Sequence, residues 1–323
     1  MKTYGLISLM LLAGVKLSAQ DRPTSIRIPE AQRDSLQQAA GRPLTSTAPR
    51  LGGINVSGVL FPVSGNGKDF LIQQFSAEAG TPVRILKLKS NRPYFFRASL
   101  RYQGLYLSGE PFIGSNNFHS VTANLSYTTI LSRSTHLSIF GLTGVASDFR
   151  KSITGSDLYY TVGARIALRQ DKDFKYAINL VYTDMYTGSF LLPIPEFAWT
   201  INDKWSWTGF LPIRTSLKYK LSKQHQLGWT TTFQGATYRL NSGAGDEYIQ
   251  HQQVSTGISY DWQLNHRWDL NIIGGYTLSN KLQTYSNSEK AGFNAFDKIQ
   301  DRKWNLSYDR NTPFIQAGFN YKF

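Results

Sequence analysis

Two places in this 323-residue chain put a histidine and a serine on one face of an extended segment, His136 with Ser138 and His251 with Ser255. Residues two or four apart on a strand project to the same side, and a serine beside a histidine is the start of a hydrolytic site if a third polar group orients the imidazole. The chain is rich in serine, so such pairs arise without selection, and no catalytic residue is assigned. The other chemical candidates are weaker still. There is no cysteine, which excludes thiolate metal sites and disulfides. The five histidines have no acid at ligand spacing, and Asp297, Asp301 and Asp309 do not follow a calcium-loop pattern, so neither metal nor cofactor is expected. Gly65-Asn66-Gly67-Lys68 lacks the glycine spacing and following helix of a phosphate loop and reads as a hairpin turn.

Charge is the next candidate. The formal net charge is +14, yet the basic residues are scattered and form no block of the kind that binds phosphate backbones. The chain begins with Lys2, an apolar run from Leu6 to Val15 and Leu17-Ser18-Ala19 before Gln20, the layout of a secretory signal cleaved after Ala19. Export and scatter together exclude nucleic acid as a partner. Loss of residues 1–19 removes Lys2 and Lys16 and no acid, leaving +12. No later stretch has the 18 or so apolar residues of a spanning helix, so any membrane crossing must use strands. Residues 20–50, broken by Pro23, Pro29, Pro43 and Pro49, read as a periplasmic linker or arm. A short helix fits between Pro29 and Gly41, and its thin apolar content suits a solvated arm better than a plug.

From residue 51 the pattern becomes period-2 alternation, the mark of strands with two unlike faces. Phe96, Ala98, Leu100 and Tyr102 alternate with Arg97, Ser99, Arg101 and Gln103, and Val121, Ala123, Leu125 and Tyr127 with polar partners. Such runs reach the roughly 9 to 11 residues of a tilted transmembrane strand. Tight turns at Ser132–Ser134, Gln170–Asp173, Asn202–Lys204, Ser222–Gln224 and Asn265-His266 alternate with longer polar loops at 108–117, 150–156, 240–248 and 280–313, as periplasmic turns alternate with external loops. Trp199, Trp205, Trp207, Trp262 and Trp268 lie near the short turns and suit a periplasmic aromatic girdle. The fold expected is all-β, a transmembrane up-and-down antiparallel barrel over 51–323. Pro193, Pro195 and Pro212 cannot donate to a ladder and a closed barrel offers no edge strand for them. Taking Pro212 as a turn residue gives 14 strands; 12 is the alternative.

Within that frame Arg97, Arg101 and Arg165 fall mid-strand on the polar face. Because an arginine facing lipid at midplane costs roughly 2–4 kcal/mol, these three, with Asp261, are expected to line the lumen. They would either favour anions or pair with acids such as Asp261 to brace the wall. The loop 280–313, with Phe293, Phe296, Ile299, Trp304 and Tyr308, either extends strands above the membrane or folds into a constriction, the extension being the simpler arrangement.

The last strand alternates through Ile315, Ala317, Phe319, Tyr321 and Phe323. It resembles the C-terminal signal that the barrel-assembly machinery reads, with Phe319, Tyr321 and Phe323 at the matching positions. Leu192-Pro193 through Trp199, then Asn202-Asp203-Lys204-Trp205, Leu211-Pro212 and Tyr219, resemble an outer-membrane family of Bacteroidota known only as a domain of unknown function. The resemblance implies fold and location and names no site. The function expected is a passive pore for small solutes, anions among them, in contact with outer-membrane lipid and lipopolysaccharide and monomeric by default. The rivals are a closed structural or surface-binding barrel, a lipid-modifying enzyme, and a secreted soluble β-protein, which would need a polar exterior.

Overall fold

The structure, a computed structural model, describes residues 52–65, 68–87, 93–132, 134–169, 173–241, 246–291 and 302–322. The proposed signal, the arm and Phe323 lie outside them. The chain divides into two units, Met1–Gly41 and Arg42–Phe323, and every described residue belongs to the second.

The strands are β1 (Gly53–Gly65), β2 (Lys68–Lys87), β3 (Pro93–Ser108), β4 (Asn117–Ile130), β5 (Thr135–Ser147), β6 (Leu158–Arg169), β7 (Phe174–Met185), β8 (Gly188–Thr200), β9 (Trp205–Phe210), β10 (Arg214–Lys220), β11 (His225–Leu240), β12 (Glu247–Gln263), β13 (Trp268–Ser286), β14 (Trp304–Asp309) and β15 (Pro313–Lys322). From β1 to β13 each pairs with the next in the chain. The strand β13 pairs with β15 from Trp268 to Tyr276, and β15 pairs with β1, so the sheet closes. The result is a closed antiparallel 14-strand barrel. The extra strand, β14, adds to the far end of β13 through Lys281↔Asp309 to Tyr285↔Trp304. The count of fourteen is the one the alternation gives when Pro212 is taken as a turn residue.

Alternation decides which face each side chain takes. On β6, Leu158, Tyr160, Val162 and Ile166 are exposed on the outside, while Arg165 between them is buried within. The same outward face carries Leu125 at 66% exposure, Trp229 at 61% and Ile258 at 57%. A contiguous apolar exterior of this kind is what hydrocarbon requires, and it is opposite to the polar exterior a secreted soluble β-protein would need.

The end holding both barrel termini is built from tight turns. In two of them an asparagine sets the geometry: Asn202 Oδ1 accepts from the backbone N of Lys204 and Trp205 at 2.9 Å each, and Asn265 Oδ1 from Arg267 and Trp268 at 2.8 and 3.1 Å. Each side chain thus imitates a backbone turn. At the opposite, loop end the connections 109–116, 148–157, 241–246 and 287–312 are long. Three others there, 66–67, 186–187 and 211–213, are short, so the loop asymmetry is weaker than the sequence suggests. Residues 66–67 of the Gly-Asn-Gly-Lys turn lie outside the described residues, but β1 and β2 pair up to Gly65↔Lys68, as a hairpin must.

One expectation needs correcting. The hairpin of β9 and β10 is only 6 and 7 residues per strand and turns through a cis Leu211–Pro212 peptide. Its pairing with β8 ends at Glu196↔Phe210 and with β11 at Arg214↔Thr232. Above it, among the described residues, β8 and β11 pair with no strand on their facing sides until the bridges Gly188↔Ala291 and Arg239↔Ser147, so this closed barrel does contain a local edge. Leu211 N donates to Pro195 O at 2.9 Å, which shows that the backbone groups of Pro195, and of Pro193 two residues along, point to that side. The positions where proline lacks its N–H therefore fall where the ladder is missing, the placement proline tolerates.

Candidate functional site

The interior has two unlike halves. Toward the turn end it is polar and charged. Glu78 receives Arg101 through Nη2 at 2.5 Å and Nε at 3.0 Å, and Arg97 at 3.3 Å. Arg165 donates to Glu196 at 2.8 Å, with both side chains 7% exposed. Asp261 accepts from Lys218 at 2.5 Å and from Asn271 at 2.7 Å. Hydroxyl pairs fill the wall between these charges, such as Ser216 with Thr230 at 2.8 Å. All four residues that alternation assigns to the inner face point inward. The three arginines find acids other than Asp261, which is held by a lysine. Arg101 differs from the rest: its side chain keeps 50% of its accessible surface although it points into the ring, so solvent reaches the interior at its level.

Sequence reading missed the partners Glu78, Glu196 and Lys218. Glu196 was legible in principle, since Ile194, Glu196 and Ala198 alternate with Pro193, Pro195 and Phe197, but the prolines drew attention to backbone and away from face. Glu78 sits among small residues, Ser76, Ala77, Ala79 and Gly80, whose alternation is too weak to assign a face.

Toward the loop end the inner face becomes apolar. Phe61, Ile72, Leu105, Leu107 and Phe118 are wholly buried, and rings meet there, Phe61 with Phe314 of the neighbouring strand at 5.8 Å, and, from strands that are not neighbours, Phe118 with Tyr238 at 5.7 Å and Phe70 with Tyr308 at 4.8 Å. His251 lies in this core, bonded through Nδ1 to Gln74 at 2.6 Å and Nε2 to Asn280 at 2.7 Å. Ser255 bonds Thr232 at 2.7 Å, and Ser138 bonds Thr128 at 2.9 Å. Each serine of the two candidate pairs therefore spends its hydroxyl on a threonine across the sheet. Asp309 faces Lys281 at 3.4 Å, while Asp297 and Asp301 lie outside the described residues. The core had a sequence signal: in Val59-Leu60-Phe61-Pro62-Val63 both faces are apolar, so the inner alternates have changed character.

The mouth at the loop end is crossed twice. The top of β11 leans over to β5, with a parallel bridge Arg239↔Ser147 and Asp148 N donating to Arg239 O at 3.2 Å. Arg239 lies 3.5 Å from Asp157 and also pairs with Asp246. Beside this crossing the Tyr186 hydroxyl donates to the Asp157 carbonyl and accepts from Ala146 N at 3.3 Å, and burial raises its phenol above the usual range, keeping it the donor. The second crossing is the connection after β13. The Tyr248 hydroxyl donates to Glu289 O at 2.5 Å, and Ala291 N donates to Thr187 O at 2.7 Å. Arg302 returns beneath it, bonded to Tyr248 at 2.7 Å and Gln250 at 2.9 Å, with its guanidinium 4.4 Å above the Tyr285 ring. The segment 280–313 is thus a strand extension in β13 and β14 and a crossing of the mouth together; Phe293, Phe296 and Ile299 lie outside the described residues.

Gly188 makes the second crossing possible. Its φ is +121°, and a Cβ there would run into the Ala291 carbonyl oxygen. Gly188→Ala is expected to lose the contact, at about 1–3 kcal/mol for a non-glycine residue in so sparse a region. The check is limited proteolysis of the refolded barrel, which should cut near residues 287–291 faster than in the parent.

On the outside, Trp199, Trp205, Trp207 and Trp262 are exposed near the tight turns. Trp268 is half-buried, with its ring 4.7 Å from Phe319 and 4.4 Å from Tyr321. Phe319 and Tyr321 lie on the closing strand, opposite Val56 and Ile54 of β1.

A family described as "Domain of unknown function (DUF6268)" matches residues 109–322. No curated protein matches the chain. Solved structures of similar fold include an outer membrane channel from Pseudomonas putida F1 (8% identity, 87% of this chain and 99% of that one, TM-score 0.43). Others are the P. putida toluene transporter TodX (7%, 84% and 89%, TM-score 0.40) and the NanC porin (9%, 84% and 100%, TM-score 0.36).

Proposed function

The chain belongs to the DUF6268 family, which brings a fold and no activity, and from the barrel's own geometry we propose that it is an outer-membrane channel passing small solutes passively. The observation that carries this is Arg101, which points into a closed ring and is still half exposed: the interior at the turn end holds water beside fixed charge. In the same reading the turn end faces the periplasm, the loop end faces outward, and residues 1–19 are the export signal. The tryptophans near the turns anchor the inner interface. The strand ending in Phe319, Tyr321 and Phe323 engages the assembly machinery, the basic surplus meets lipopolysaccharide phosphates, and the barrel acts as a monomer. The proline–tryptophan segment from Leu192 to Trp205 supports an origin in Bacteroidota. No catalytic, cofactor or metal role is proposed.

Single-channel recording of the purified, refolded mature protein tests this. Steady conductance with anion preference is expected. Because Arg101 is the solvent-facing member of the set, Arg101→Glu should lower or reverse the preference, whereas the buried Arg165 should set stability more than selectivity. A correctly folded barrel that carries no current would sink the channel. The wholly buried core at the loop end favours the second reading, a closed structural or surface-binding barrel, and that silent outcome would establish it.

A further inference from the structure

The missing ladder above β9 and β10 has a position and a lining that bear on what the barrel passes. Residues 189–194 of β8, beyond the Gly188–Ala291 bridge, and 234–237 of β11 have no strand on their facing sides among the described residues. At ~3.3 Å per residue the β8 edge alone is roughly 20 Å long. Its height is fixed by β7, where Leu180 pairs with Pro193 and Ile178 with Pro195. Both β7 side chains face outward at about half exposure, so the interruption lies within the apolar belt.

A break at that depth is unusual, because hydrocarbon leaves unpaired backbone groups unsatisfied. Pro193 and Pro195 remove two donors from the β8 side. The other side bends away, since the top of β11 crosses to β5. That crossing also divides the interior. On one side of it lies the packed core around Phe61 and Phe118, which Tyr186 and Tyr159 join; on the other are the inner faces of β6, β7 and β8. The inner lip of the notch is apolar, with Phe190 and Ile194 of β8 buried and Leu192 of β8 and Phe210 of β9 half-buried. Directly below are Arg165 and Glu196 of the charged half.

We propose that this notch is a lateral portal, through which small apolar molecules pass between the barrel interior and the hydrocarbon of the outer leaflet. It rests on the channel reading and names its substrate class. With the straight path narrowed by the core, a solute in the polar half meets its apolar exit sideways. An ion or sugar gains nothing from that route, whereas a small hydrophobic molecule gains transfer into lipid.

The absence of cysteine from the chain makes single-cysteine labelling clean. Leu192→Cys places a thiol on the inner lip, and Ser126→Cys places one on the inner face of a wall paired on both sides, to Arg97 and to Phe140. Both positions are half-buried. Each mature variant is reconstituted in phospholipid vesicles and treated with a maleimide attached to a lipid acyl chain, or with a small water-soluble methanethiosulfonate. The portal predicts that the acyl-chain reagent labels position 192 faster than position 126 by at least about tenfold, while the soluble reagent labels both. Adding Gly235→Trp should abolish the excess, because position 235 faces outward on the unpaired part of β11 and a Cβ there meets nothing within 4 Å. Equal labelling of 192 and 126 by the acyl-chain reagent overturns the portal. Conductance of the same preparations separates the two readings: current without lipid-side labelling removes the portal alone, and lipid-side labelling without current removes the channel and upholds the opening.

Discussion

Truncating Phe61 and Phe118 together to alanine is expected to raise the single-channel conductance and to lower the stability of the folded barrel. Both rings are wholly buried, and they sit in separate contacts, Phe61 against Phe314 and His251, Phe118 against Tyr238. Each truncation should cost about 3–5 kcal/mol, the transfer free energy of the ring plus the cavity it leaves. The cavity beside Phe61 will not stay dry. His251, Gln74 and Asn280 border it with polar atoms already in hydrogen bonds, and a void with several such partners holds water. Water there joins the polar half to the loop end and widens the straight path that the core now narrows. Urea unfolding reads the stability, and bilayer recording reads the conductance. Phe61→Leu is the milder control, expected to cost less and to conduct as the parent does. If the double variant is destabilised as expected yet conducts no better, the core is scaffolding and passage is limited elsewhere, at the crossings made by Arg239 and Ala291.

Much of this architecture was legible because one rule generates it. A strand between lipid and water must alternate, so Phe96 to Gln103 and Val121 to Thr128 announce both their conformation and their faces, and the tight turns announce the register. The rule says little where both faces have the same character. That happens in Val59 to Val63 and around Leu105 to Leu107, where the inner alternates pack on one another, so the apolar core stayed hidden. It also fails where a contact joins residues far apart in the chain. The meeting of Arg239 with Ser147, or of Ala291 with Gly188, leaves no local pattern, and each depends on how far a particular strand leans. The prolines of β8 misled for a related reason. They were weighed against an ideal closed ladder, whereas the short β9–β10 hairpin supplies the edge they need. The charged half was legible by face, through Arg97, Arg101, Arg165 and Asp261, but not by partner, because alternation gives a side chain's direction and leaves open which acid it meets across the sheet.

Replacing Glu196 by alanine is expected to be the most destabilising single change in the charged half. Arg165 and Glu196 are each 7% exposed and joined at 2.8 Å, on β6 and β8 with β7 between them. Removing the carboxylate leaves a buried guanidinium without its acid, a loss of about 3–5 kcal/mol in such settings. The pair itself is not intrinsically worth that much, because taking two charges out of water costs nearly what their attraction returns. The double variant Arg165→Met with Glu196→Leu should therefore unfold close to the parent in urea, while Glu196→Ala alone unfolds far earlier. The comparison also reports on the interior. Were Arg165 as open to solvent as Arg101 is, the orphaned guanidinium would be solvated and Glu196→Ala would cost no more than about 1 kcal/mol, the value of an exposed pair. A large single effect with recovery in the double thus marks the immediate surroundings of Arg165 and Glu196 as dry wall, in contrast to the solvent-facing Arg101.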